Sequence, residues 1–135
     1  MGNNVVGDSR VFELFNPAVI STTTSGASVD LGSAGYEDGV LYMNIGTVVA
    51  LTTLIVTVEH STLTGSGFVA YTEPGAAAAA VFATKTATGG PFRLPLNMRG
   101  MNQFIRVVAT LVGTSFIADI LLVATPKYQP AALQP

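Results

Sequence analysis

The chain has no cysteine, no tryptophan and a single histidine. Without cysteine there is no disulfide scaffold, no thiolate zinc site and no thiol chemistry, and the redox compartment is left open. Without tryptophan, and with Tyr36, Tyr42, Tyr71 and Tyr128 scattered, a carbohydrate-binding sandwich lacks its usual aromatic platforms. Charge is also scarce. Only 10% of the 135 residues are Asp, Glu, Lys or Arg, whereas 49% are hydrophobic; an ordinary soluble domain has about 25% charged residues. The net charge is −2 and the six cations are dispersed, so there is no basic footprint for nucleic acid. A lone soluble monomer relies on surface charge to stay dispersed. The composition therefore points to a membrane, to other protein subunits, or to a surface in which Thr, Ser, Gly and Asn replace charge.

The length suits one domain with one core. Residues 1–8 show no basic stretch followed by an apolar one, so no secretory signal is expected there. Residues 39–58 are 20 residues without a charge, the nominal length of a spanning helix. That segment contains Gly39, Asn44, Gly46 and four threonines, is rich in β-branched residues, and is flanked by Glu37, Asp38, Glu59 and His60 rather than by basic residues. Such a segment reads more simply as two strands than as a membrane helix.

Turn residues punctuate the chain at short intervals, among them Asn16-Pro17, Ser25-Gly26, Gly65-Ser66-Gly67, Glu73-Pro74-Gly75, Gly89-Gly90-Pro91 and Gly113. Short runs of Val, Ile, Thr, Phe and Tyr lie between them, which predicts an all-β antiparallel sandwich, jelly-roll-like. Residues 103–112 and 115–124 flank Gly113-Thr114, a two-residue turn signal. A hairpin is expected there, with Ile105 opposite Leu122, Val107 opposite Ile120 and Ala109 opposite Ala118. Arg106 and Asp119 would be diagonal neighbours on its polar face. By the same reasoning Leu41, Met43 and Ile45 pair with Val58, Val56 and Leu54 around residues 48–51. In both hairpins Ile55, Val108, Ile117 and Leu121 are left on the outer face, and must meet a second sheet, another copy or a larger assembly. Weaker strand signals cover 18–21, 27–31, 68–71 and 92–96, and the alanine-rich stretch 76–84 fits a strand or a helical turn. The expected organisation is an arm over residues 1–16, a sandwich over 17–125 and an extended Pro-rich tail over 126–135.

Chemistry is thin. A Ser-His-Asp arrangement would need His60 as its base; a strand-end histidine beside Glu59, exposed or hydrogen-bonded, is the plainer reading. Glu37-Asp38 lacks the spacing of a calcium loop. Asp8, Glu13, Asp30, Glu73 and Asp119 are isolated in sequence and give no positive sign of a glycosidase pair. Gly32-Ser-Ala-Gly35 and Gly65-Ser-Gly67 lack the order of a phosphate-binding loop and read as turns. No enzyme, no cofactor and no metal are expected.

The C-terminal third carries Arg99-Gly100, a polar spacer, Phe104-Ile105-Arg106-Val107-Val108-Ala109-Thr110, a glycine turn, and a strand running to Pro126-Lys127. Upstream stand Asp30-Leu31-Gly32, Gly39-Val40-Leu41 and the strand Val56 to His60. Across residues 17–128 this pattern resembles small virion proteins of tailed double-stranded DNA bacteriophages. The alanine run at 76–80 departs from the polar, aromatic-marked loop such proteins often carry. The resemblance implies a capsid decoration (cement) protein on the virion surface, made in the bacterial host cytoplasm. Its partners would be the major capsid protein and further copies of itself, a trimer being one arrangement. Candidate contact positions are Phe12, Phe15, Arg99, Arg106 and Tyr128. A tail-tube, neck or minor head protein is the alternative, and a carbohydrate-binding sandwich the second.

Overall fold

The computed structural model describes residues 10–32, 35–49, 52–86 and 88–126. Among the described residues ten strands follow in chain order: β1 (Arg10–Ile20), β2 (Thr24–Ser25), β3 (Val29–Asp30), β4 (Tyr36–Val48), β5 (Thr53–Ser61), β6 (Val69–Ala70), β7 (Val81–Lys85), β8 (Gly89–Asn97), β9 (Phe104–Val112) and β10 (Phe116–Pro126). They form a β-sandwich of two antiparallel sheets. One sheet runs β1-β10-β4-β8; in the other, β9 and β5 are central, β2 and β3 pair with β9, and β6 and β7 pair with β5. If β2 with β3, and β6 with β7, each count as one interrupted strand, eight strand positions remain. The first half of the chain pairs with the second as a long antiparallel ribbon: β1 with β10, β2/β3 with β9, β4 with β8, β5 with β6/β7. Rolling that ribbon brings β10 beside β4 and β9 beside β5. This is the connectivity of a jelly roll.

Alternation along the strands decides what is buried. Leu41, Met43 and Ile45 of β4 and Phe116, Ala118, Ile120 and Leu122 of β10 point inward from one sheet. Leu54, Val56 and Val58 of β5 and Ile105, Val107 and Ala109 of β9 point inward from the other. Every inward face is the one the period-2 pattern marks. The strand partners differ from expectation, however: β9 and β10 lie in opposite sheets, and so do β4 and β5. Both expected hairpins are β-arches. The reason is geometric. Strands in a sheet are about 4.8 Å apart and facing sheets about 10 Å apart, while three linking residues reach roughly 13 Å. The same loop can make either connection. In the arch the two apolar faces meet each other directly, whereas a hairpin would leave both on one uncovered side. Arg106 and Asp119 consequently lie on opposite sides of the sandwich.

The two arch loops meet at one end of the molecule. Val49 N–H donates to the Ser115 carbonyl at 3.1 Å, and Thr114 N–H donates to Thr52 Oγ1 at 2.9 Å. Thr52 is only 1% exposed, so its hydroxyl oxygen supplies an acceptor where water cannot.

Two expected bounds change, and one open alternative resolves to a strand. Residues 10–16, expected in an arm, belong to β1; register shifts between Glu13 and Phe15 and between Phe15 and Ala18 carry the strand past Asn16-Pro17. The bulge also turns the consecutive side chains of Leu14 and Phe15 into the core. The alanine-rich stretch starts in a turn, with Ala76 N–H donating to the Glu73 carbonyl at 3.0 Å. It then bridges Thr72 to Ala79 and enters β7, with no helical turn. Pro126, assigned to the tail, ends β10, and residues 1–9 and 127–135 lie outside the described residues. Residues 39–58 fall within β4, its arch and β5, and no helix among the described residues is long and apolar enough to cross a membrane.

Candidate interaction surfaces

The expected site residues divide by what they touch. Phe15 is buried core, and Phe12 is half-buried edge-to-face against Tyr36 at 5.7 Å between ring centres. Neither is presented as a contact. Arg99 pairs with Glu37. Arg106 donates from Nε to Glu59 at 2.7 Å, its cross-strand neighbour, and lies 4.3 Å over the Phe68 ring. Sequence reasoning misses both carboxylate partners because they stand 62 and 47 residues away. Tyr128 lies outside the described residues.

The motifs that carry the resemblance are structural in this chain. Asp30 Oδ1 accepts from Gln103 Nε2 at 2.9 Å and from Gly32 N–H at 2.7 Å, and these bonds hold its carboxyl below the usual carboxylate range. Gly32, at φ +83°, makes the tight return this turn needs. Gly39 lies against Met98, whose sulfur would sit 2.5 Å from an added Cβ.

His60 is a held group. Its Nδ1 accepts from Asn102 N–H at 3.0 Å, and its ring stands edge-to-face on Tyr71 at 5.0 Å. That hydrogen bond requires an unprotonated Nδ1 and fixes the neutral tautomer with its proton on Nε2. Burial lowers the imidazole pKa below its ordinary value of 6.5. With a depressed folded-state value, its contribution to stability is present above pH 6.5 and lost as pH falls through the folded-state pKa. The melting temperature should fall as pH drops from 7 towards 5, and the slope should flatten in His60→Gln. Identical slopes in the two proteins would contradict this. Among the described residues no group of three or more His, Asp or Glu could hold a metal ion.

The outer sheet faces are the distinctive surfaces. On the β1-β10-β4-β8 sheet, cross-strand neighbours form rows. Val11, Val123, Val40 and Pro95 make one wholly apolar row. Beside it runs a row of Glu13, Leu121, Tyr42 and Arg93, with the Arg93 guanidinium 5.7 Å from the Tyr42 ring centre. Val19, Ile117 and Gly46 lie towards the arch end, with Asp119 and Asn44 between. On the other sheet Ser25, Val108, Thr57 and Val81 form a row, with Thr110 beside Ile55 and Val112 beside Thr53. Ile55, Val108, Ile117 and Leu121 therefore meet no second sheet; they face outward. Val11 is 64% exposed and Val112 66%.

The β8 edge, by contrast, is blunted. Both backbone groups of Asn97 point away from β4: its N–H donates to Glu73 Oε2 at 2.6 Å, and its carbonyl accepts from the Tyr71 hydroxyl. By strand alternation Pro91, Arg93 and Pro95 turn the same way. Two of those three have no N–H to offer, so an added strand would find little to pair with. Clefts of about 200 Å³ occur beside Leu31, Tyr36, Met98 and Met101, and of about 210 Å³ between β1 and β2. Neither gathers reactive groups.

Comparison with protein-family models, with curated proteins and with solved structures finds no match for this chain.

Proposed function

We propose that the chain is a non-enzymatic structural protein of a phage virion, a decoration protein that binds the outside of the major capsid lattice and stabilises the head. The observation that carries this reading is the pair of outer sheet faces on which Val, Ile, Leu and Thr stand where a dispersed monomer would carry charge. The sequence resemblance over residues 17–128 supplies the biological setting. A jelly roll with a blunted β8 edge and apolar outer faces suits docking by faces rather than by strand addition.

The mechanism is linkage. A protein that binds the assembled lattice and not its dispersed subunits stabilises the assembly by mass action, about 2.7 kcal/mol per site at a free concentration 100 times Kd. Low charge on the contact faces reduces the desolvation cost of seating on another protein.

The test is co-sedimentation of the purified chain with heads from the same phage that lack it. Binding that saturates at a fixed ratio to the lattice, with heads that withstand higher temperature, is the expected result. Failure to bind, with tubes forming from the chain alone, would overturn the reading in favour of a tail component.

A further inference from the structure

We propose that two copies of this chain associate face to face through the outer surface of the β1-β10-β4-β8 sheet, about a twofold axis lying parallel to the strands between β10 and β4. The association does not depend on the shell-binding role and leaves the other sheet free to meet a lattice.

Charge placement selects this partner and this axis. Glu13 on edge strand β1 and Arg93 on edge strand β8 end the same cross-strand row. Three strand spacings separate those strands, about 14 Å, and the row centre between them is apolar, Leu121 beside Tyr42. Both end residues are exposed, and neither makes an ion pair among the described residues. Rotation about an axis along the strands lays β1 of one copy over β8 of the other, and β10 over β4. Glu13 of each copy then meets Arg93 of the second, giving two symmetric ion pairs. Rotation about an axis across the strands would instead set Glu13 against itself.

The rest of the face agrees. Val123 of one copy falls on Val40 of the other, and Leu121 on Tyr42. The remaining acidic groups meet neutral partners that can donate a hydrogen bond: Asp119 falls on Asn44, and Asp38 on Thr125. No like charges are brought together on these strands. Four strands at about 4.8 Å spacing and eleven residues at about 3.4 Å rise give a face of about 700 Å² per copy. Stable interfaces bury about 600–1,000 Å² per partner, so the face is of the right size. Aligned sheet packing within about 30° keeps the rows in register.

The opposite sheet gives no such match. Its Arg106 and Glu59 already neutralise each other at 2.7 Å within one copy.

Sedimentation equilibrium of the full chain, with circular dichroism to verify folding, tests the proposal. The wild type should dimerise, and Glu13→Arg or Arg93→Glu alone should weaken the dimer on the order of 100-fold through like-charge contacts. The double variant should restore it. Val11→Lys, at a position 64% exposed and so safe for folding, should also weaken it, whereas Thr57→Lys on the other sheet should not. A strictly monomeric wild type would overturn the proposal. So would single reversals without effect, a double variant no better than the singles, or a dimer lost on Thr57→Lys. If Val11→Lys abolished lattice binding by a monomeric chain, the face would belong to the shell and the proposal would fall.

Discussion

Replacing Phe116 by alanine should lower the unfolding free energy by about 3–5 kcal/mol, the range for removing a buried aromatic from a close-packed core. The side chain is fully buried. It opens β10 just beyond the second arch, opposite Ile20 of β1 and Val48 of β4. Its ring therefore helps close the sandwich at the point where the chain crosses between sheets, and the surrounding strands are too constrained to collapse into the space. Native domains are stable by only about 5–15 kcal/mol, so this one change removes a large fraction. Val112→Ala is the matched control: four residues earlier, on the outer face and 66% exposed, it should change stability by less than about 0.5 kcal/mol. Urea unfolding of both measures the difference. A loss below about 1 kcal/mol for Phe116→Ala would show that the ring does not fill the core as described.

That contrast between inner and outer positions is legible in the residue pattern alone. Ile105, Val107 and Ala109 alternate with Arg106, Val108 and Thr110, and the alternation marks the buried face correctly, as it does for Leu41, Met43, Ile45, Leu54, Val56 and Val58. A period of two reports which way a side chain points and nothing about which strand lies alongside. Gly113, at φ +123°, makes the reversal in either geometry, so the turn residue cannot decide between hairpin and arch. β1 is hidden for another reason. Asn16-Pro17 looks like punctuation, and only the two register shifts opposite β10 show how a strand runs through it. At the surfaces, the outward apolar positions are readable from the same alternation. The rows they form across β1, β10, β4 and β8 are not, because those strands are brought together by the roll of the chain and not by their order in sequence. His60 is readable as a strand-end residue, but its partner Asn102 lies 42 residues away.

Tyr71→Ala should be the second large loss, again about 3–5 kcal/mol. Tyr71 is 1% exposed. Its ring packs on His60, and its hydroxyl donates to the Asn97 carbonyl on the outward edge of β8. Truncation removes the packing and uncovers that backbone carbonyl beside Pro91 and Pro95. Tyr71→Phe keeps the ring and should cost about 1 kcal/mol for the lost hydrogen bond. Burial raises the Tyr71 pKa above its ordinary value of 10.0. Its contribution is thus fully present below pH 10.0 and lost as pH rises through the raised folded-state value, a dependence Tyr71→Phe should lack. Equal stability in urea unfolding for Tyr71→Ala and Tyr71→Phe would contradict the role given to the ring.

Both losses concern the core and its corner; the scarcity of charge concerns the outer faces, where the central claim lies. On the proposed function, the outward-facing Val11, Ile55, Val81 and Val112 are covered by a partner surface in the assembly. Carbene footprinting, which labels exposed aliphatic side chains, measures this directly on dilute chain and on chain bound to assembled heads. These valines and the isoleucine should lose most of their labelling in the assembly, while exposed Leu63, in the loop between β5 and β6, keeps its reactivity. Equal labelling of the outer faces in both states would contradict the claim.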